Sequence, residues 1–258
     1  MIEATDLAYE ERGSGPVAVF VHGFPFDRTM WIGQLAGLAK HRRCIAIDLR
    51  GSGLSQDKPP REYSMDLFAD DIAKTLDDIG ADKIDLVGLS MGGYVLFSFF
   101  RRHHDKLRSL VLFDTKPDAD TDEGKKGREA TAALVREKGM EALWDGLKTK
   151  LFGANPSEEA VQKIYQMVLS TDPDVAAAQS LAMRDRVDST GDLGNIDVPT
   201  LWIHGKDDAL MPPDAAEASA GKIPGAKFVA ISGGHVSPLE HPDEANAALT
   251  DFFKSLPK

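Results

Sequence analysis

The sequence predicts an α/β fold: a mostly parallel central sheet with helices on both faces and a helical cap inserted after the sixth strand. Up to about residue 115, short apolar runs alternate with segments in which apolar residues recur at helical spacing. Such alternation is typical of parallel sheets. From 116 to 188 the helical spacing continues without a strand pattern, and strand patterns return from 200 onwards. The helical segment therefore interrupts a sheet domain.

Composition limits the classes of partner. The 258 residues suffice for one large α/β domain, and 42% hydrophobic with 28% charged residues is ordinary for a globular protein. A net charge of −11 argues against nucleic acid or an anionic membrane as partner. We see no signal-peptide pattern and no apolar run near the ~20 residues of a membrane span. The expectation is a cytoplasmic protein, a monomer or small homo-oligomer.

Five apolar runs in the first half of the chain have the length of strands. The first alternates weakly, whereas the others are almost continuously apolar, as in strands buried on both faces. They lie at 7–11, 17–21, 44–48, 84–89 and 107–113. Helical patterns at 26–40 and 64–79 lie between them, and Ser64 is placed to cap the second helix. On that helix, Asp70 and Asp71 are expected to face solvent rather than to form a metal pair.

The insertion contains four helical patterns, at 125–138, 140–151, 157–169 and 174–183. Pro156 and Pro173 lie where helices begin. We predict a core domain of 1–115 and 189–258 and a cap of 116–188 that covers the carboxyl edge of the sheet. A separate helical interaction domain is the alternative, but neither end of the segment has a flexible linker. Strands at 200–204 and 228–231 and a helix at 242–256 complete the core.

The run Gly88-Leu89-Ser90-Met91-Gly92 lies between the strand at 84–89 and a helical pattern. In this setting G-x-S-x-G is typical of a nucleophile elbow, in which the serine occupies a strained turn. Side chains at Gly88 or Gly92 would collide with the strand or the helix. On the pattern alone, Ser90 could instead be a helix N-cap.

Two later loops supply partners for Ser90. A serine hydroxyl needs a histidine base, and that histidine needs a carboxylate on its other nitrogen. Asp207 and Asp208 follow the strand at 200–204, and His235 follows the strand at 228–231. The carboxyl ends of parallel strands share one edge, so we predict Ser90, Asp208 and His235 as catalytic residues. Asp207, and then Asp114 after the strand at 107–113, are the alternative acids.

The sequence motifs resemble those of cap-bearing α/β-hydrolases across nearly the whole chain. HGFP, GLSMG, DLRGSG, GKDD and GGHVSPLEHP occur in the order of that family. Within it, HGFPFDRTMW, GLSMGGYV and MRDRVDST resemble bacterial carboxylesterases of the thermostable type, and the cap resembles that of 3-oxoadipate enol-lactonases. The resemblance implies the α/β-hydrolase fold and hydrolysis of small to medium acyl carboxylic esters through an acyl-enzyme.

The same resemblance implies an oxyanion hole formed by the backbone N–H groups of Phe24 and Met91. His22 is expected to order the HGFP loop rather than to act as base. Nothing in the sequence calls for a metal or an organic cofactor. Five further residues are candidates for the substrate pocket, although the methionines serve equally well as ordinary core. They are Trp31, Met140, Met167, Met183 and Met211.

Other functions on the same scaffold stay open. A lactonase would need a cationic or polar cap group for a second carboxylate. Arg184 and Arg186 could serve, although a charged helix end is the simpler interpretation. A cofactor-free perhydrolase and a C–C hydrolase would use the same three residues. A ligand-binding receptor would use the pocket without catalysis, and a complete set of Ser90, Asp208 and His235 weighs against it.

Overall fold

A computed structural model describes residues 3–55 and 61–256. Seven strands form one sheet in the order β1-β3-β2-β4-β5-β6-β7, in which β1 runs antiparallel to β3 and the other neighbours are parallel. The strands are β1 Tyr9–Arg12, β2 Val17–Val21, β3 Arg43–Ile47, β4 Ile84–Leu89, β5 Leu107–Phe113, β6 Thr200–Gly205 and β7 Lys227–Ile231. The predicted α/β fold with a mostly parallel sheet is confirmed.

Helices cover both faces of this sheet. The helices of the core are α1 Ile32–Leu38, α2 Met65–Asp78, α3 Met91–Arg102, α7 Pro213–Ala220, α8 Ser237–Glu240 and α9 Pro242–Ser255. Side chains on one strand alternate between the faces of the sheet. Ala18 and Phe20 therefore pack in one apolar cluster with α1 and α9, while Val19 and Val21 pack in another with α2, α3 and α7. No helix in the described ranges combines the length and the apolarity that a bilayer crossing requires.

Three further helices lie between β5 and β6, and we call them the inserted helices: α4 Asp122–Leu151, α5 Glu158–Ser170 and α6 Pro173–Arg184. The insertion thus follows the fifth described strand, and the predicted position after a sixth strand is wrong. The described residues before β1, 3–8, add no strand, and three of their backbone N–H groups bond to side chains instead: Thr5 to Asp71, Leu7 to Thr75 and Ala8 to Ser55.

The division into a core of 1–115 and 189–258 and a cap of 116–188 stays a prediction, and its outermost residues lie outside the described ranges. Within α4, Gly139 has φ 77° and ψ −176°, which separates two helical segments where the sequence predicted a break. The end of the insertion is anchored by Arg186, whose buried guanidinium pairs with Asp120 at 2.8 Å and stacks 4.2 Å over the Tyr94 ring.

The acidic pair on α2 differs from the expectation. Asp70 is half-buried and pairs with Arg102, but Asp71 is fully buried. Its carboxylate accepts hydrogen bonds from the Arg50 guanidinium and from Thr5 N. A buried carboxylate needs such partners to offset its lost hydration, and the sequence spacing of α2 does not reveal a partner on another segment. The expected solvent-facing Asp71 is therefore wrong.

Candidate active site

Ser90 lies on a strained turn between β4 and α3. Its backbone has φ 54° and ψ −113°, a left-handed conformation that costs free energy in a residue other than glycine. Neighbouring contacts hold the turn in place: Ser90 N donates to Phe113 O at 3.0 Å, and Thr115 Oγ1 donates to Ser90 O at 2.8 Å. The turn also brings Gly92 close to the end of β2. An added Cβ there would lie 2.5 Å from Val21 O, so this position requires glycine.

Three side chains from three loops form one chain of hydrogen bonds. His235 Nε2 lies 2.8 Å from Ser90 Oγ, and His235 Nδ1 lies 2.8 Å from Asp208 Oδ2. Because a carboxylate can only accept, Nδ1 carries the proton, and Nε2 is left as the acceptor for the serine hydroxyl. The residues are 9% (Ser90), 4% (Asp208) and 4% (His235) exposed. This arrangement can remove a proton from the hydroxyl as it attacks a substrate.

Asp208 is held by its own loop. Its Oδ1 accepts from Leu210 N at 2.8 Å and from Met211 N at 2.9 Å, which leaves Oδ2 for His235. Burial disfavours the charged form, but hydrogen bonds from His204 and His235 outweigh burial and hold the pKa of the Asp208 carboxyl well below its usual range. The carboxylate is therefore ionised at neutral pH and can stabilise a protonated imidazole.

The two alternative acids occupy other positions. Asp207 is exposed, and its backbone N–H donates to Gly233 O at 3.0 Å. Asp114 is fully buried with φ 44°, and its carboxylate accepts from Gly205 N at 2.7 Å and from Ser237 Oγ at 2.7 Å. Asp114 thus joins the end of β6 to the segment that follows His235, instead of bonding the imidazole.

Asp114 gives a prediction for stability against pH. Burial raises the pKa of its carboxyl from 3.8 to about 6, since it outweighs the hydrogen bond from Ser237 and the attraction of the nearby histidines. Between pH 3.8 and about 6, the native state keeps the Asp114 proton that the unfolded chain has lost. The stabilisation from this group is therefore fully present below pH 3.8 and is lost as pH rises through about 6. The loss is about 3 kcal/mol in order of magnitude. We therefore expect wild type to lose stability relative to Asp114→Asn as the pH rises from 4.5 to 7.

Denaturant unfolding at pH 4.5 and pH 7 measures this difference, because the amide that replaces the carboxyl in Asp114→Asn does not titrate. The unfolding free energy of the wild type should fall relative to that of Asp114→Asn between the two pH values. A constant difference would show that Asp114 keeps an ordinary pKa in the native protein.

The HGFP loop lies beside the serine turn. Leu49 N donates to His22 Nε2 at 3.0 Å, so the ring proton is on Nδ1 and is donated to Gly23 O at 2.9 Å. Burial lowers the pKa of His22, which keeps the ring neutral. His22 therefore orders this loop. Phe24 precedes a cis bond to Pro25.

Met91 N, which follows Ser90 in the chain, and Phe24 N, in the HGFP loop, are the predicted donors of an oxyanion hole. Met91 is the first residue of α3, and the first N–H groups of a helix have no partner within it. Across the described ranges, the backbone–backbone hydrogen bonds of loops and turns include none donated by Phe24 N. The role of both groups as oxyanion donors stays a prediction.

The five pocket candidates are divided between the two apolar clusters. Trp31, Met140 and Met167 belong to the cluster with α1 and α9, and Trp31 packs at 5.4 Å from Phe20 between ring centroids. The other two, Met183 and Met211, pack against the opposite cluster. All three of the first group are buried, with Trp31 fully so. Their contribution to a substrate pocket stays a prediction.

Sequence reasoning missed His204, a buried histidine at the end of β6. Its Nε2 lies 2.7 Å from Met211 O and 3.3 Å from Asp208 Oδ2. Burial opposes its protonation, but the Asp208 and Asp114 carboxylates outweigh burial and raise the pKa of His204. The only signal in the sequence is a histidine directly before Gly205, the last residue of β6.

Asp114, His204 and Asp208 offer ligand atoms within 4.8 Å of one another, the geometry of a possible metal site. The carboxylate oxygens already have protein partners, since Asp208 Oδ2 bonds His235 and both oxygens of Asp114 accept hydrogen bonds. Among the described residues, His204 Nδ1 has no hydrogen-bond partner. A metal here would compete with His235 for Asp208. We therefore interpret the cluster as a hydrogen-bond network.

Comparisons with known proteins identify the family of the chain. A thermophilic esterase from Thermogutta terrifontis superposes with a TM-score of 0.93 at 40% identity, covering 96% of this chain and 93% of that chain. The enol-lactonase from Burkholderia xenovorans LB400 superposes with a TM-score of 0.88 at 27% identity, covering 96% of both. Non-heme chloroperoxidase CPO-A1 from Kitasatospora aureofaciens is 30% identical over 90% of this chain and 88% of its own length. Since the model of the alpha/beta hydrolase fold family matches residues 16–242, the chain belongs to that family.

Proposed function

We propose that the protein is a serine carboxylesterase that hydrolyses small to medium acyl esters. The observation that carries the proposal is the chain of 2.8 Å hydrogen bonds from Ser90 through His235 to Asp208. Geometry of this kind activates a hydroxyl for attack on a carbonyl carbon. The similarity to esterases supports the same reaction class.

In the proposed acylation step, Ser90 Oγ bonds to the ester carbonyl carbon while its proton passes to His235 Nε2. The carbonyl oxygen becomes an oxyanion, which accepts hydrogen bonds from Phe24 N and Met91 N. The bond to the alkoxy group then breaks, and that oxygen takes the proton from His235. An alcohol leaves, and the acyl group stays on Ser90.

Deacylation repeats these steps with water as the nucleophile. His235 accepts a proton from water as the hydroxyl oxygen bonds to the acyl carbon, and then returns the proton to Ser90 Oγ as the acid leaves. Asp208 stays ionised throughout and stabilises the protonated imidazole. We propose that the inserted helices cover this site as a cap and limit the size of the acyl group.

The structure favours an esterase over the kind of lactonase whose substrate carries a second carboxylate. The two arginines considered for that role already have carboxylate partners, since Arg184 pairs with Asp185 and Glu129 and Arg186 pairs with Asp120. Neither supplies an unpaired cation.

A second candidate activity is perhydrolysis, in which hydrogen peroxide replaces water in attack on the acyl-enzyme and yields a peracid. The similarity to the chloroperoxidase supports including it.

An ester and lactone panel tests the proposal. We expect the pure protein to hydrolyse p-nitrophenyl acetate and butyrate with kcat of about 1–10³ s⁻¹, the range common for enzymes, and longer acyl chains more slowly because the cap limits their length. Uncharged lactones should be weaker substrates than these esters. Folded protein that binds a small ester tightly without turnover would instead favour a receptor. A peracid formed from acetate and hydrogen peroxide would add the second activity.

A further inference from the structure

The loop that carries His235, residues 232–236, is tied to a segment outside the sheet. The residues on either side of His235 both donate their backbone N–H groups beyond this loop. Gly234 N donates to Glu240 Oε1 at 2.7 Å, and Val236 N donates to Leu151 O at 3.2 Å. Leu151 is the last residue of α4. One of the two bonds therefore joins the His235 loop directly to the inserted helices.

Glu240 makes a second connection between the same two segments. Its Oε2 accepts from Gly153 N at 3.0 Å, and Gly153 comes two residues after the end of α4. The two carboxylate oxygens are thus divided between the inserted helices and the His235 loop. Hydrogen bonds to an ionised group are roughly twice as strong as neutral ones, so a single side chain holds two backbone segments together.

The two segments also touch through their backbones. A Cβ added at Gly234 would lie 2.5 Å from the carbonyl carbon of Phe152 and 2.7 Å from Gly153 N. A Cβ added at Gly153 would lie 3.1 Å from Gly233 Cα. Glycine is thus required at Gly234, and the end of α4 cannot move toward the loop without displacing the backbone next to His235.

From these contacts, we propose that Glu240 is a positioning residue that couples the seating of the inserted helices to the placement of the His235 imidazole. Glu240 bonds neither Ser90 nor Asp208 in the structure, so it acts through the backbone of Gly234. The inference rests on the proposed function, because it assigns His235 the role of base. Displacing the end of α4 should then misplace His235 relative to Ser90.

The test uses Glu240→Gln in the full chain. Glutamine has nearly the same shape, but its amide group presents a donor to one of the two N–H groups that the carboxylate accepts. We expect kcat for p-nitrophenyl butyrate to fall about tenfold, with KM changed less than kcat, because catalysis and not binding depends on His235. The rate at which a fluorophosphonate modifies Ser90 should fall by the same factor.

Glu244→Gln is the matched control. Glu244 Oε2 accepts from Ser232 N at 3.0 Å, so Glu244 bonds the His235 loop through the same type of contact as Glu240. This bond does not involve the inserted helices. We expect its labelling rate to stay within about twofold of wild type. Equal losses in both variants would reduce Glu240 to a structural support for the loop. A wild-type rate in Glu240→Gln would overturn the coupling.

Gly153→Ala tests the coupling independently if Glu240→Gln folds poorly. The added Cβ would lie 3.1 Å from Gly233 Cα and 3.2 Å from Asp207 Oδ2, so the segment after α4 and the His235 loop must shift relative to each other. Ser90 labelling should therefore slow, and a wild-type rate would contradict the proposal. The two proposals fail in different ways. A wild-type protein whose Ser90 is not labelled rejects the esterase, whereas normal wild-type labelling with unaffected variants rejects only the coupling.

Discussion

Replacing Ser90 by alanine should lower kcat for ester hydrolysis by about six orders of magnitude. The variant lacks the hydroxyl that would bond to the acyl carbon, and only oxyanion and binding contributions remain. The fold should persist, because alanine places the same Cβ at φ 54° and leaves the backbone bonds to Phe113 and from Thr115 intact. Measuring p-nitrophenyl butyrate hydrolysis and denaturant unfolding on the same preparation separates the two effects.

Ser98→Ala is the matched control for Ser90→Ala. Ser98 is also a buried serine on α3, and its hydroxyl donates to Asp66 rather than to a histidine. We expect Ser98→Ala to cost stability but to keep kcat within about threefold of wild type. If Ser90→Ala retained the wild-type rate, another nucleophile would have to carry the reaction, and the proposed mechanism would be rejected.

Replacing Asp208 by asparagine should lower kcat by about four orders of magnitude. The carboxylate accepts from His235 Nδ1 and thereby keeps Nε2 free to accept the serine proton. The amide of asparagine has only one acceptor oxygen, and the N–H groups of Leu210 and Met211 compete for it. The amide nitrogen then donates to His235 Nδ1 and favours the opposite tautomer of the imidazole, in which Nε2 carries the proton and presents an N–H to Ser90. Steady-state kinetics at neutral pH measures the loss.

Asp207→Asn is the natural comparison, because Asp207 is the adjacent aspartate in the same loop and is exposed. We expect its kcat to stay within about threefold of wild type. The opposite result, an inactive Asp207→Asn beside an active Asp208→Asn, would show that the acid has been assigned to the wrong residue. Asp114→Asn should retain more activity than Asp208→Asn, because Asp114 bonds Gly205 and Ser237 rather than the imidazole.

Local patterns were sufficient for most of the elements. Continuous apolar runs predicted β2 to β6 with boundaries close to those observed, because strands buried on both faces need apolar side chains in succession. The capping of α2 by Ser64 was predicted, and its hydroxyl accepts from Leu67 N at 3.0 Å. The break in the long inserted helix was also predicted, at Gly139. Each of these features depends on neighbours within a few residues along the chain.

Partners distant in sequence were not predictable in the same way. Asp71 looked like part of a solvated helix face, but Arg50 and Thr5 approach it from other segments. Glu240 stood out only as part of the GGHVSPLEHP motif, while its bond to Gly153 joins residues 87 apart. His204 carried no signal beyond its place at the end of a strand. Hydropathy spacing describes one segment at a time and contains no information on which segments meet.

By itself, the sequence determined the class of fold, the serine turn and the set of loops from which its partners come, because the succession of strands and helices along the chain and the placement of glycines are local properties. It left two acids open on one loop and a third on another. Only the tertiary structure decided that Asp208 faces His235, that Asp114 instead joins β6 to the segment after His235, and that Glu240 links this loop to the inserted helices. The reason is physical: a side chain's partner is set by the packing of whole segments, which brings polar atoms within about 3 Å of one another regardless of their separation in the chain.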